Sequence, residues 1–243
     1  MADFVSHVIP AVGTVHGLFS DRSDGDLAPH GERVHMSFSE HDAILEARRS
    51  ALAPTPWTWM RQVHGAGVLE VHTPGHRAGD QADACVTGNS GVTLSVTVAD
   101  CAPVLLFSPV QDSVVVGAAH AGWRGLEAGV LEATVDAMRD LGATEISWWL
   151  GPCIGASRYE FSGVDLDRLV SRFGASVRSQ TDDGRPALDM RAAVGAAMGA
   201  AGVTAPHLRA PSACTALSDQ HWSHREGAAT QRQVGAIWWE AGR

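Results

Sequence analysis

The sequence predicts an α/β (α+β) fold, a single domain of mixed β-sheets packed with helices. Three observations carry that expectation. The chain has 243 residues, a length that suits one large domain over 1–243. Hydrophobic residues make up 45% of it, enough for a sizeable buried core. Strand-like apolar runs stand next to one another mid-chain and mix with helix-periodic segments, which favours mixed sheets over a regular doubly wound one.

Taken in order, Ser20 to Gly31 is polar and carries Gly and Pro, so it reads as a loop. Ser39 is placed to cap a helix over Glu40 to Leu52, with Asp42 in its first turn and Pro54 beyond its end. Val92 to Val98 alternates aliphatic residues with Thr and Ser, the pattern of a strand. Val104 to Phe107 and Val114 to Ala119 are short apolar runs, as buried strands require. Leu126, Val130, Thr134 and Met138 recur at helical spacing, which predicts one helix from Gly125 to Leu141 stopped by Gly142. Ile146 to Leu150 is a strand ending at Gly151-Pro152. Val164 to Phe173 and Met190 to Ala201 read as helices, and His207 to Ala210 and Val234 to Trp239 as late strands.

Composition narrows the function. The formal net charge is -9, and none of the 18 basic residues is Lys, which removes Schiff-base and P-loop lysine chemistry. No basic run is present, so neither nucleic acid nor an anionic membrane surface is an expected partner. Ala84 to Ala99 is weakly charged but broken by Thr, Ser, Asn and Gly, so it is no membrane span. The start MADFVSHVIPAVG lacks the basic and apolar regions of a secretion signal. Cys85, Cys101, Cys153 and Cys214 are widely spaced with no CxxC pair, so free thiols in the cytoplasm are expected.

The chemistry concentrates between Ala99 and Gly125. Asp100-Cys101 follows one apolar run, and His120 ends another just before Gly122-Trp123-Arg124-Gly125. His64 holds a similar turn position in Arg61-Gln62-Val63-His64-Gly65. Two imidazoles and a thiolate can hold a catalytic zinc through His64, Cys101 and His120 and leave one coordination position open. The same Cys101 and His120 can instead serve as nucleophile and base. Asp100 is a candidate to orient a ligand or accept a proton, and Asp83 is another. Arg61, Arg124 and Arg225 are candidate anion sites, Arg124 at a helix start. Trp123 is a candidate stacking face, and Ser223-His224-Arg225 adds an imidazole and a cation. Cys153, between Pro and Ile after an apolar strand, reads as a packed thiol.

Six blocks together resemble the YfiH-like, or laccase-domain, family. They are RQVHG (Arg61 to Gly65), ADACVT (Ala82 to Thr87), ADCAPVLL (Ala99 to Leu106), AAHAGWRG (Ala118 to Gly125), GPCIGASRYEF (Gly151 to Phe161) and the pair Cys214-Thr215 with Ser223-His224-Arg225. The resemblance implies a YfiH-like fold with zinc on His64, Cys101 and His120. It also implies phosphorolysis of adenosine, inosine, guanosine and methylthioadenosine, and deamination of adenosine. The expected partners are therefore a nucleoside and phosphate, acting on a monomer or homodimer. Some members of the family are linked to peptidoglycan editing, and older descriptions name a multicopper polyphenol oxidase. Copper is the lesser alternative, because none of the 12 histidines forms an HxH pair. The chain departs from the family where residues 33–38 read RVHMSF in place of an Asn-bearing stretch, and where His224 replaces a Tyr.

Overall fold

A computed structural model describes residues 1–29, 38–54, 56–205 and 213–242. In chain order its strands and helices are β1 (Asp3–Ile9), β2 (Gly13–Phe19), α1 (Phe38–Leu52), β3 (Trp57–Thr58), β4 (Val68–Glu70), β5 (Ala84–Thr87) and β6 (Thr93–Val98). There follow β7 (Ala102–Val110), β8 (Ser113–Ala121), α2 (Trp123–Ala128), α3 (Val130–Asp140) and β9 (Ser147–Leu150). The chain continues through α4 (Gly163–Phe173), β10 (Arg178–Gln180), β11 (Pro186–Leu188), α5 (Met190–Ala200), α6 (His224–Gly227) and β12 (Gln233–Ala241). This is the mixed α+β architecture that the sequence predicts.

Two five-stranded sheets, ordered β1-β2-β12-β6-β3 and β4-β5-β8-β7-β9, form the centre. Their inner faces meet in one apolar layer: Val15, Leu94, Val96, Ile237 and Trp239 from the first, Leu105, Phe107, Val116, Ala118 and Trp149 from the second. The outer face of the first sheet packs Leu18, Trp57, Ala236 and Trp238 against Leu45 of α1. The outer face of the second presents Val104, Leu106, Val115 and Ala119 to α2, α3, α4 and α5, through Leu126, Leu131, Leu166 and Val194. Alternate residues of β7 therefore face opposite cores, Val104 and Leu106 one way, Leu105 and Phe107 the other. A strand covered on both faces needs apolar residues at every position, which is why these strands stand out as continuous apolar runs.

Two helices differ from expectation. The helix predicted over Gly125 to Leu141 begins at Trp123 and breaks at Gly129, whose φ of 90° is left-handed and ends α2 before α3 restarts. An isolated Gly is tolerated within a helical pattern, but here its conformational freedom turns the chain between two helices. Helix α1 starts at Phe38, so Ser39 lies inside it rather than before it. Strands β1 to β5 carried no sequence expectation; β1 is a largely exposed edge, with little apolar periodicity to reveal it. The predicted strand His207 to Ala210 and the departure at residues 33–37 lie outside the described residues.

Candidate metal centre

Strand register assembles the site. The antiparallel pair β7 and β8 aligns Pro103 with His120 and Ala102 with Ala121, so Cys101, just before β7, lies beside Gly122. The antiparallel pair β5 and β8 aligns Ala84 with Ala119, so Asp83, just before β5, lies beside His120. The turn carrying His64 is tied down twice. The Gln62 side chain exchanges hydrogen bonds with Thr97, donating from Nε2 to its carbonyl and accepting from its N–H, both at 2.8 Å. The backbone N–H groups of Val63, His64 and Gly65 all donate to the Asp83 carboxylate, at 3.2, 2.9 and 2.7 Å. Three successive N–H groups on one carboxylate make an anion-holding concavity, and His64 accepts a left-handed φ of 58° within it.

Asp83 also receives the Nδ1–H of His120 at 2.9 Å. It is 0% exposed and His120 3%. One carboxylate thus sets both the ring of His120 and the backbone of His64. Because Nδ1 of His120 is held by Asp83, Nε2 is the nitrogen left to ligate a metal. Burial would raise the Asp83 carboxyl, but the hydrogen bonds from His120, Gly65 and Val63 outweigh it and hold the group below the usual carboxylate range.

The ligating atoms of His64, Cys101 and His120 all lie within 4.8 Å of one another. Cys101 Sγ is 3.9 Å from His64 Nε2, and the two imidazoles meet edge to face with centroids 4.8 Å apart. Donor atoms sharing one tetrahedral zinc stand roughly 3.5 Å apart, from bond lengths near 2.0–2.3 Å, so small side-chain adjustments would bring these three onto one ion. Space is kept for them: a Cβ on Gly122 would sit 2.9 Å from His64 Cδ2 and 3.0 Å from Cys101 Sγ. The donor set fits zinc, with soft sulfur, two neutral nitrogens and a carboxylate orienting one imidazole. Burial alone would push the Cys101 thiol up, but the charge of His120, with help from His64, brings it down to about 6. Burial opposes His120 in turn, and the Cys101 and Asp83 charges raise it to about 9. Without an ion the two are a thiolate and an imidazolium, and a metal on Nε2 would displace that proton.

The cluster lies in a cavity of about 590 Å³. Arg61, Asp100, Arg124 and Arg225 line the same cavity, whereas Asp83 is buried behind the cluster. Both carboxylate oxygens of Asp100 are engaged by the chain, Oδ1 by the Thr215 hydroxyl at 2.7 Å and Oδ2 by the Ser223 hydroxyl at 3.0 Å and the Arg225 N–H at 2.7 Å. Asp100 therefore fastens the segment bearing Arg225 beside Cys101. Arg124 stacks on Trp123, its guanidinium carbon 4.2 Å from the ring centroid. Arg61 donates to Gln81 at 3.1 Å. Sequence reasoning assigned no role to Tyr159, Gln62 or Arg232, which also line the cavity. Tyr159 sits in the block GPCIGASRYEF, but only its place in the fold reveals that it faces the site.

The fold and site together define a class: a mixed α+β protein with a two-histidine, one-cysteine ligand set in an arginine-bearing cavity. Comparison with known proteins narrows it. The family described as multi-copper polyphenol oxidoreductase laccase matches residues 18–240, and the chain belongs to this laccase-like, YfiH family. A protein of Streptomyces griseus named purine nucleoside phosphorylase is 38% identical over 94% of this chain and 96% of its own length. One of Pseudomonas aeruginosa with the same name is 38% identical over 94% of this chain and 95% of its own. Among solved structures, a Neisseria meningitidis protein superposes with a TM-score of 0.78 at 26% identity, covering 98% of this chain and 99% of that one. YlmD from Geobacillus stearothermophilus gives 0.74 at 26% identity, covering 97% and 94%.

Proposed function

We infer that this protein is a zinc-dependent purine nucleoside enzyme. It cleaves adenosine, inosine, guanosine and methylthioadenosine with phosphate, and it deaminates adenosine with water. The observation that carries this reading is the convergence of His64, Cys101 and His120 within 4.8 Å in a cavity that also holds Arg61, Arg124 and Arg225. The names of the Streptomyces griseus and Pseudomonas aeruginosa relatives support the substrate class.

Bound zinc supplies Lewis-acid activation of water or of a substrate oxygen. The chain does the rest. Asp83 holds His120 in the tautomer whose Nε2 can ligate, and it fixes the His64 turn. The arginines pair with phosphate, which must approach the sugar carbon as the bond from that carbon to the purine breaks and the base leaves with the electron pair. Asp100 keeps Arg225 beside the cluster. Trp123, backed by Phe161 at 5.1 Å between centroids, offers a flat face to the base.

The test is incubation of purified protein with adenosine, with and without phosphate, followed by chromatography. Adenine that appears only with phosphate, inosine that appears without it, and loss of both on chelation support the reading. Neither product from metal-loaded protein overturns it.

A second reading has its own observation. Cys101, His120 and Asp83 form a line of thiolate, imidazole and carboxylate, as a cysteine nucleophile requires. In that case His120 takes the Cys101 proton, the thiolate attacks an amide carbonyl, such as one in a peptidoglycan precursor, the C–N bond breaks as the amine leaves with the proton from His120, and water hydrolyses the thioester. Activity that survives chelation and dies on alkylation of Cys101 would favour it. Copper-dependent polyphenol oxidation, which the family description suggests, needs further histidine clusters. Among the described residues one group of three or more His, Cys, Asp and Glu is close enough to share an ion. Elemental analysis separates zinc from copper.

A further inference from the structure

Tyr159 is a buried phenol with an unused hydroxyl. It is 8% exposed and lines the cavity that holds the metal ligands, yet among the described residues its hydroxyl makes no hydrogen bond. The hydroxyl is not one of the sealed polar atoms left without a partner, so it opens on the cavity and can give a hydrogen bond there. The surrounding side chains hold the ring in place. Phe161 packs against it at 5.5 Å between centroids, and Phe161 is itself fixed edge to face by Trp123 at 5.1 Å. The Arg225 guanidinium carbon lies over the Tyr159 ring, 4.9 Å from its centroid. That guanidinium gives one N–H to the Glu160 carbonyl at 3.1 Å, which leaves other donors on the same wall as the phenol. The backbone N–H of Arg225 is bonded to Asp100, so the pair is anchored next to Cys101.

We propose that the Tyr159 hydroxyl is a phosphate-binding donor: with Arg225, it holds an oxygen of inorganic phosphate on the cavity wall facing the metal ligands. This rests on the purine nucleoside reading and names a further binding residue for it. One feature points to an anion rather than to the base or the sugar. The phenol is flanked by guanidinium groups, Arg225 over its ring and Arg124 on the wall of the same cavity. Hydrogen bonds to charged acceptors are the stronger kind.

The test compares zinc-loaded wild type and Tyr159→Phe, with inorganic phosphate as the probe. Equilibrium dialysis with radiolabelled phosphate gives binding without turnover, and steady-state assays give the two Michaelis constants. A lost hydrogen bond to a charged group corresponds to roughly tenfold or more in affinity. The expected result is at least that loss in phosphate binding, a matching rise in KM for phosphate, and little change in KM for the nucleoside or in kcat at saturating phosphate. Tm and zinc content should hold, because the hydroxyl has no protein partner to lose; if they fall, Tyr159→Trp, which keeps a polar donor, must restore phosphate affinity or the proposal fails. Unchanged phosphate affinity, or a loss confined to the nucleoside, overturns it. If wild type turns over nucleosides but binds no phosphate, this proposal fails while the metal-dependent reading stands. If wild type binds phosphate weakened by Tyr159→Phe but turns over no nucleoside, the substrate reading fails and the phosphate site stands.

Discussion

Cys101 and Cys153 occupy equivalent ends of neighbouring strands, yet their chemistry is opposite. The antiparallel register of β7 and β9 aligns Val104 with Leu150, and continuing it past both strands brings Cys101 level with Cys153. The Ile154 N–H donates to the Asp100 carbonyl at 2.9 Å, stitching the two ends together. Cys153 is fully buried, and that burial, only partly offset by Arg191, pushes its thiol up to about 12. Cys101 also pays a burial penalty, but two imidazoles face it and bring it to about 6. What separates a reactive sulfur from a packing sulfur here is the charge beside it, not its place on the strand.

The widest gap between the two should appear in metal-stripped protein treated with an alkylating agent. The thiolate is the reacting form, so reactivity rises with pH. Cys101 should reach half its maximal rate near pH 6 and Cys153 should stay inert through neutral pH, which mass spectrometry of the modified peptides reads directly. Equal labelling of both thiols at pH 7 would erase the distinction. The next largest effect belongs to His120→Ala, which removes a ligand and the charge that lowers Cys101. We expect loss of bound metal by elemental analysis, a fall in turnover on the order of a thousandfold, and an upward move of the Cys101 alkylation midpoint.

Asp83→Asn sharpens the contrast further, because Asp83 acts on the ligands without touching the ion. Replacing the partner of a metal-bound His typically costs about 10–100-fold in metal affinity, and a chelator competition should show a loss of that size. The same carboxylate predicts acid sensitivity. Its folded value lies below the usual range, so its stabilising effect is complete above the unfolded value of about 4 and disappears as pH falls through the folded one. Thermal melts of wild type should therefore fall off below pH 4 more steeply than those of Asp83→Asn. The smallest effect is expected from Cys153→Ala, about 1 kcal/mol of stability from lost packing, with metal content and turnover intact.

Much of this was legible in the sequence, for a physical reason. Strands β7 and β8 are covered on both faces, so they are apolar throughout and their ends are easy to see, and the reactive residues sit at those ends. The three candidate ligands could be singled out because a thiol and two imidazoles each end an apolar run at a turn, and they lie within 4.8 Å of one another. Asp83 could be named as a candidate, but not its double hold on His120 and the His64 turn, which arises from a register that aligns it with His120 and from a turn 18 to 20 residues earlier in the chain. Tyr159 was equally hidden, because an aromatic in a Gly-rich block looks like packing until the fold places it on the cavity wall. Gly129 shows the converse failure: a clean helical period concealed the one residue whose backbone turns left-handed.

The order of synthesis adds a constraint. β12 (Gln233–Ala241) is the middle strand of the first sheet, bonded to β2 on one side and β6 on the other. On the ribosome both neighbours emerge long before the strand that joins them, and each waits with an open hydrogen-bonding edge. A nascent chain halted anywhere before Gln233 thus has a split sheet, exposed to pairing with other chains, which makes translation of β12 the step that joins the sheet.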